Sequence, residues 1–436
     1  MPQRSLPQRS RVRRAASLSF AAWVLGTAPL WTTPAPGGVT DAVGPKPATS
    51  GSTDNPEVPR VPPGGRTRDE PVDALADAPP SRPHTPAATG PSAASPADSP
   101  RTPSAESPAR GPGPSPAVAL RRWDFTDTHM GVPIRITFYA SAQQHPREAA
   151  AAAFQRIARL DAIFSDYRAD SEARRLSDAA GSGKWMSVSP EMWDVLTTAV
   201  EISAKTEGAF DVTVGPVVRL WRRARRQHRR PSEERLREAQ SAVGYRLIEL
   251  DRRCRRVRLK RPGMRLDFGG IAKGYATDEA LRVLQQHGIR SALIDAGGDL
   301  RLGEPPPGRT AWTVAVADLT REAAIAERLS LRRCAIATSG DLYQFVEIDG
   351  TRYSHIIDPR TGEPVVVRRS VSVLAPSGML ADALASAISV LGPQRGMRVL
   401  DRFPGTAALV FQLGEGGRVE RFQSRNWPPA IDEPRR

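Results

Sequence analysis

The sequence predicts an α+β fold, in which strands and helices are intermixed without the regular alternation of a doubly wound sheet. Residues 132–139 (VPIRITFY) alternate apolar and polar side chains, as a half-buried strand does. Residues 146–163 are rich in alanine and predict a long helix. Residues 380–391 predict a final apolar helix.

The elements between these follow from local signals. A helix is expected at 190–206, because a proline stands at its first position and apolar residues recur at three-to-four spacing. Another helix is expected at 274–287, ending at Gly288. Further strands are predicted at 291–295, 311–316, 335–337, 344–348 and 370–375.

A change of composition divides the 436-residue chain. Of its 41 prolines, 21 lie between Pro34 and Pro116, among Ala, Ser, Gly and Thr. Such a stretch buries too little apolar surface to offset the entropy of ordering. Residues 33–119 are therefore predicted to be a disordered, partly polyproline-like linker, and residues 120–436 the folded domain.

Residues 1–32 have the layout of an export signal, because several arginines precede an uncharged apolar run from Ala15 to Trp31. The run is also near the lower length limit for spanning a bilayer and has no clear cleavage site. A cleaved signal peptide and a retained membrane anchor both stay open. Each predicts an exported domain, either periplasmic or anchored and facing the periplasm.

The net charge of +15 is concentrated in two arginine-rich runs, residues 219–230 and 252–265. Clustered arginines are the electrostatic footprint of phosphate binding. The runs carry little aromatic interleaving, and an exported protein rarely meets nucleic acid, so no nucleic-acid partner is expected. A solvated face, or attraction to an anionic membrane surface, is the preferred interpretation.

A glycine-rich turn at 266–276 (LDFGGIAKGYA) is the first candidate site. Gly269 and Gly270 allow the main chain to approach a ligand closely, and a helix beginning near Ala272 would direct unpaired amides at an anion. The segment is not a P-loop, because Lys273 lacks the required spacing. By itself it is equally compatible with a strand-to-helix turn.

Three further segments strengthen this interpretation. They are predicted turns at 297–299 (GGD), at 338–341 (TSGD) and at 355–362, where His355 precedes Asp358. Asp382 and Ser386 are four residues apart on a predicted helix, so both oxygens project from one face. Hard oxygen ligands suit Mg²⁺. The alternative for Asp382 is an acidic residue favoured by the helix dipole.

Eight segments, in order, closely resemble the FAD:protein FMN transferases, the ApbE family. The likeness runs from about Trp123 to the last predicted helix. The segments are Met130-Gly131, FSDYRADSEARRL (164–176), GAFDVTVGPVVRLW (208–221), LDFGGIAKGYATD (266–278), DAGGDL (295–300), ATSGDLY (337–343), HIIDPRTGEP (355–364) and ADALASAISVLG (381–392).

The resemblance implies an enzyme that splits FAD, transfers FMN to a Ser or Thr hydroxyl of an acceptor flavoprotein and releases AMP, with Mg²⁺ required. It suggests a subunit of a membrane redox complex as the acceptor. The implied FAD contacts are Met130, Tyr167, Ala209, Phe210, Asp211, Asp267, Lys273 and Ile356. The implied metal ligands are Gly270 through its carbonyl, Asp382, Ser386 and Ala385 through its backbone.

The implied catalytic residues are His355, Asp382 and Lys273. His355 would remove the hydroxyl proton, with Asp358 orienting the ring, while a metal-bound carboxylate is the competing base. The same residues would also serve a Mg²⁺-dependent FAD pyrophosphatase, and a non-catalytic FAD carrier is the third hypothesis. Ser386 replaces the usual Thr and keeps the hydroxyl.

Overall fold

The computed structural model describes residues 119–319, 325–340 and 344–431. The predicted signal or anchor and the predicted linker up to residue 118 lie outside these ranges. Within them, no helix has both the length and the hydrophobicity of a membrane span.

The described residues form helices and strands in mixed order. The helices are α1 (Pro146–Phe164), α2 (Glu172–Asp178), α3 (Pro190–Lys205), α4 (Gly215–Gln227), α5 (Glu233–Ser241), α6 (Ala272–Gln286), α7 (Gly378–Leu391) and α8 (Pro393–Leu400). The strands are β1 (Arg121–His129), β2 (Val132–Ala140), β3 (Met186–Ser187), β4 (Ile248–Asp251), β5 (Arg256–Leu259), β6 (Ala292–Ala296), β7 (Asp299–Leu302), β8 (Trp312–Ala317), β9 (Ile325–Leu331), β10 (Ala335–Gly340), β11 (Phe345–Ile348), β12 (Thr351–Ser354), β13 (Arg369–Ala375), β14 (Ala407–Leu413) and β15 (Val419–Gln423).

The central element is an eight-stranded sheet in the order β1-β2-β6-β7-β10-β13-β14-β15, antiparallel throughout. One face packs against α1, α6 and α7, with α3 packed on α1 and α7, and the core includes Ile134, Leu160 and Leu384. The other face packs against the hairpin of β8 and β9 through Leu300, Trp312 and other apolar residues. This arrangement confirms the predicted α+β class.

Helices α6 and α7 approach closely at a pair of glycines. A Cβ built on Gly274 would lie 2.0 Å from the Gly378 carbonyl oxygen, so only glycine fits there. Asp278 of α6 accepts hydrogen bonds from the first amides of α7, Gly378 N at 2.8 Å and Met379 N at 3.0 Å. The two helices are thereby fixed with their chemically active side chains facing each other.

Most of the predicted elements are confirmed within two residues, but two predictions are wrong. Residues 338–340, expected in a turn, belong to β10, where Thr338 Oγ1 lies 2.8 Å from Ser372 Oγ of β13. The helix predicted at 380–391 begins at Gly378 and is not the last, because α8 follows. The first arginine-rich run contains most of α4.

Candidate active site

One end of the central sheet brings two turns together. Met130 and Gly131 form the two-residue turn between β1 and β2, with positive φ angles of 51° and 75° that the right-handed twist of a hairpin requires. A Cβ on Gly297 would lie 3.2 Å from Val132 Cβ, so the Gly297-Gly298 turn packs beside this hairpin. The hairpin turn that carries Met130 thus lies near the Gly297-Gly298 turn.

A buried charge cluster lies where β7, α6 and α7 meet. Lys273 Nζ is 2.6 Å from Asp299 Oδ2 and 3.3 Å from Asp382 Oδ2. Asp382 Oδ2 also accepts the Gly274 amide at 3.1 Å, at the N-terminus of α6. Two carboxylates therefore face one ammonium group, so the cluster carries one uncompensated negative charge when both carboxylates are ionised.

The pKa values of the cluster reflect this imbalance. Burial opposes the ammonium form of Lys273, but the charges of Asp299 and Asp382 outweigh it and hold its pKa above the ordinary value. Burial raises the pKa of Asp382 to about 7, and Asp299 adds to the rise while Lys273 opposes it. A buried cluster with excess negative charge is suited to bind a cation.

Gly270, Asp382 and Ser386, three residues with oxygen donors, lie beside this cluster. A Cβ on Gly270 would lie 2.7 Å from Ser386 Oγ, so the glycine lets the main chain approach Ser386, one turn beyond Asp382. The Asp382 carboxylate, the Ser386 hydroxyl and the Gly270 carbonyl form the hard donor set that Mg²⁺ prefers. No group of three or more His, Cys, Asp or Glu in the described ranges could hold a metal. A Mg²⁺ ion here would complete its coordination with substrate phosphates and water, as the residues present allow.

The Ala385 carbonyl does not fit this donor set. It accepts a hydrogen bond from Ser389 Oγ at 2.8 Å within α7. A helical carbonyl with this additional partner is engaged inside the helix. The bond therefore argues against the expected role of Ala385 as a metal ligand.

Beside the charge cluster, one wall of the site is formed by three contacting residues, Tyr167, Arg222 and Asp267. Tyr167 is 79% exposed, and the Arg222 guanidinium lies 4.8 Å from its ring centroid. Arg222 also pairs with Asp166 and, at 3.0 Å, with Asp267 Oδ2. Asp267 Oδ1 accepts the Gly269 amide at 2.9 Å, which ties this wall to the glycine turn. Burial raises the pKa of Asp267 and the charge of Arg222 opposes this.

The loop before α4 presents Ala209 and Phe210, both buried. The Phe210 ring lies close to Gly270: a Cβ built on that glycine would be 3.6 Å from the ring. Asp211 accepts hydrogen bonds from Thr213 N at 2.8 Å, Thr213 Oγ1 at 2.7 Å and Tyr245 N at 2.6 Å. The carboxylate is engaged inside the protein, so Asp211 shapes the loop.

His355 follows β12, and its Nδ1 lies 3.1 Å from the Gln344 carbonyl oxygen. A carbonyl only accepts, so Nδ1 carries the hydrogen and Nε2 keeps a free lone pair. Burial lowers the pKa of His355 to about 4, and the positive charges of Arg225 and Lys273 contribute. The next residue, Ile356, is half-buried and pairs through its carbonyl with the Val365 amide.

Asp358 does not orient the His355 ring, contrary to expectation. Its carboxylate pairs with Arg360, accepting from Nε at 2.8 Å and from Nη2 at 2.6 Å. The Gln344 carbonyl fixes the imidazole instead. A backbone carbonyl supplied by Gln344, just before β11, leaves no signal in the sequence.

Two residues of the site were missed by sequence reasoning. The sequence places Asp299 only in a predicted turn, although Asp299 makes the shortest contact to Lys273. Arg222 was assigned to a solvated arginine run, although it joins Tyr167 to Asp267. Arg222 follows the buried Trp221 directly in the sequence. Its direction could be inferred only if it were known which face of α4 is buried.

Comparison with known proteins gives this geometry a context. The model of the ApbE family matches residues 130–411. The FAD:protein FMN transferase of Escherichia coli K12 is 34% identical over 252 residues, covering 56% of this chain and 70% of that protein. The corresponding protein of Vibrio cholerae O395 is 33% identical over 274 residues, covering 62% and 80%.

Solved structures agree with the fold. The ApbE protein of Thermotoga maritima superposes with a TM-score of 0.62 at 32% identity, covering 69% of this chain and 97% of that one. The flavin transferase ApbE from Vibrio cholerae gives a TM-score of 0.63 at 28% identity, covering 72% and 100%. Fold and site thus define a mixed α+β protein of the flavin transferase class. The chain belongs to the ApbE family.

Proposed function

We propose that this protein transfers FMN from FAD to a Ser or Thr hydroxyl of a target protein and releases AMP. Relatives that share the fold carry the name FAD:protein FMN transferase. The observation that carries the proposal is the buried Lys273–Asp299–Asp382 cluster beside Gly270 and Ser386. Such a cluster is suited to bind a pyrophosphate together with its cation.

FAD would bind with its phosphates at the glycine turn and its rings against the apolar parts of the walls. Tyr167 offers an exposed aromatic face, and Phe210 lines the site beside Gly270. Met130, Ala209, Asp267 and Ile356 complete the proposed contacts, with Asp211 shaping the loop from within. Lys273 would direct its ammonium group at the pyrophosphate.

We propose that Asp382, Ser386 and the Gly270 carbonyl hold Mg²⁺. The bound ion would neutralise negative charge on the pyrophosphate oxygens. The protein supplies the position of these ligands through the close contact of α6 and α7 at Gly274 and Gly378. Lys273 stays protonated and keeps the cluster compact.

His355 is the proposed base. The acceptor hydroxyl gives its proton to Nε2, and its oxygen forms a bond to the FMN-side phosphorus while the bond to the AMP oxygen breaks. The low pKa of the imidazole keeps it neutral, and therefore able to accept a proton, at physiological pH. The proton rests on the imidazole and AMP leaves as an anion.

The experiment is an incubation of the full chain with FAD and Mg²⁺, with and without an acceptor protein. We expect FMN covalently attached to the acceptor, measured by mass spectrometry, and AMP in equal amount. Free FMN formed equally well without acceptor would identify a pyrophosphatase instead. Bound FAD that is never cleaved would identify a carrier.

Location and acceptor belong to the proposal as well. We propose that residues 1–32 export the chain, that 33–119 form a linker, and that the domain 120–436 acts in the periplasm or anchored to the membrane facing it. The composition of the N-terminal segments supports this. The acceptor would be a membrane redox complex subunit. Terminal sequencing of the mature protein and a search for FMN adducts with and without the gene test both points.

A further inference from the structure

Helix α4 directs two arginines towards the site, and the two differ in their partners. Arg222 and Arg225 are three residues apart and therefore lie on one side of the helix. Arg222 pairs with Asp166 and Asp267. Arg225 Nε is buried without a hydrogen-bond partner, and Arg225 makes no ion pair within the described ranges.

The packing of α4 places Arg225 on the His355 side of the cleft. The ring of Trp221 lies 5.1 Å from that of Tyr353, two residues before His355, and Trp221 Nε1 donates to the Gly362 carbonyl at 2.9 Å. Arg225 is one turn beyond Trp221. Consistently, the charge of Arg225 contributes to the low pKa of His355.

A half-buried guanidinium without a counter-charge is unfavourable in the free protein. Burial and the neighbouring Arg222 lower the pKa of Arg225 and Tyr167 opposes this, so on balance its surroundings disfavour the charge. An anionic ligand that enters the cleft would remove this penalty. Lys273 is already shared between two carboxylates and offers little net positive charge, so a second cationic side chain would add to the charge that the proposed Mg²⁺ supplies to a dinucleotide diphosphate.

We propose that Arg225 binds a phosphate oxygen of the dinucleotide substrate, on the side of the cleft that carries His355. The inference rests on the proposed function, which supplies the dinucleotide. Guanidinium donors arranged as a planar fork suit two oxygens of one phosphate. Arg222, held by two carboxylates under Tyr167, would remain part of the ring-binding wall.

The test compares ligands that differ only in phosphate. FAD and riboflavin share the flavin ring, and their binding to the full chain is measured calorimetrically without Mg²⁺, so that no turnover occurs. In Arg225→Met we expect FAD affinity to fall roughly 10- to 100-fold, as for a lost charged hydrogen bond, with riboflavin binding unchanged. Arg223→Met is the matched control, because Arg223 is exposed on the same helix; it should bind both ligands as the wild type does.

Two outcomes would overturn the inference. One is unchanged FAD affinity in Arg225→Met; a raised KM for the acceptor in the same variant would then assign Arg225 to an acidic group of the acceptor. The other is an equal loss of affinity for FAD and riboflavin, which indicates a structural role. Thermal melting checks the fold, and Arg225→Gln replaces the methionine variant if that unfolds. Arg225-dependent FAD binding in a protein that transfers no FMN would refute the proposed function alone.

Discussion

Lys273 and Arg225 are two mostly buried cations of one cleft, and they differ in their surroundings. Lys273 lies between two carboxylates, so its side of the cleft carries excess negative charge. Arg225 has no carboxylate partner within the described ranges, and its side is positive. The opposite charges indicate that the Lys273 side of the cleft attracts a cation and the Arg225 side attracts an anion. A metal-bound dinucleotide would satisfy both.

The largest effect is expected when the negative side is broken. Asp382→Ala removes the carboxylate that contacts Lys273 and the Gly274 amide, and with it the proposed metal ligand. FMN transfer should fall by about three orders of magnitude or more, because charge on the pyrophosphate would no longer be neutralised. The measurement is the rate of acceptor labelling at saturating Mg²⁺.

The control for this variant is Ser389→Ala on the same helix. Among the described residues its hydroxyl bonds only to the Ala385 carbonyl, so transfer should stay near the wild-type rate. Melting curves should show that both variants fold. Mg²⁺-dependent transfer retained by Asp382→Ala would falsify the metal assignment.

His355→Gln tests the positive side of the cleft. It should lower the transfer rate by about 10²- to 10⁴-fold, the usual contribution of a general base, while FAD binding is kept. Asp358→Asn is the control, because that carboxylate pairs with Arg360 and not with the imidazole. A near-normal rate in His355→Gln would transfer the role of base to a metal-bound carboxylate.

The sequence predicts some residues of the site but not the contacts between them. Lys273 and Asp382 were both identified, since each stands in a recognisable motif. Their direct contact was not predictable from local pattern, because 109 positions separate them and the contact depends on the Gly274–Gly378 approach. Asp299 was missed for the same reason, as its partner lies on a helix and not in its own turn.

The fold shows the same limit. Long elements with a clear period, such as α1 and α3, were predicted within two residues. Residues 338–340 were assigned to a turn because Thr, Ser and Gly are common there. In the structure they pair with β13, and the sheet outweighs local preference. Side-chain identity alone does not reveal such a strand partner.

Asp299→Asn tests whether the excess negative charge around Lys273 contributes to cation binding. The amide keeps the shape but removes one charge, so Lys273 would be shared with Asp382 alone and the cluster would lose its negative excess. We expect about tenfold slower transfer and weaker apparent Mg²⁺ affinity, because one charged contact is lost. Asp251→Asn, at the partly exposed pair with Arg256, is the control and should change neither. Unchanged Mg²⁺ dependence in Asp299→Asn would show that the negative excess has no part in cation binding.

The smallest effect concerns pH. Because the pKa of His355 is lowered to about 4, the imidazole is neutral above that pH and is protonated, and so inactive as a base, only below it. At saturating Mg²⁺, which keeps the proposed Asp382 ligand ionised, the acid limb of kcat/KM should therefore lie near 4 and well below the ordinary histidine value of 6.5. Arg225→Met removes one of the positive charges that disfavour the imidazolium, so the limb should move upward, by about one unit or less. Arg223→Met should leave the acid limb in place.

A wild-type limb at the ordinary histidine value would mean that the imidazole is solvated in the working enzyme. An unmoved limb in Arg225→Met would mean that the two cationic groups do not sense each other, and the contrast between the two sides of the cleft would then rest on Lys273 alone.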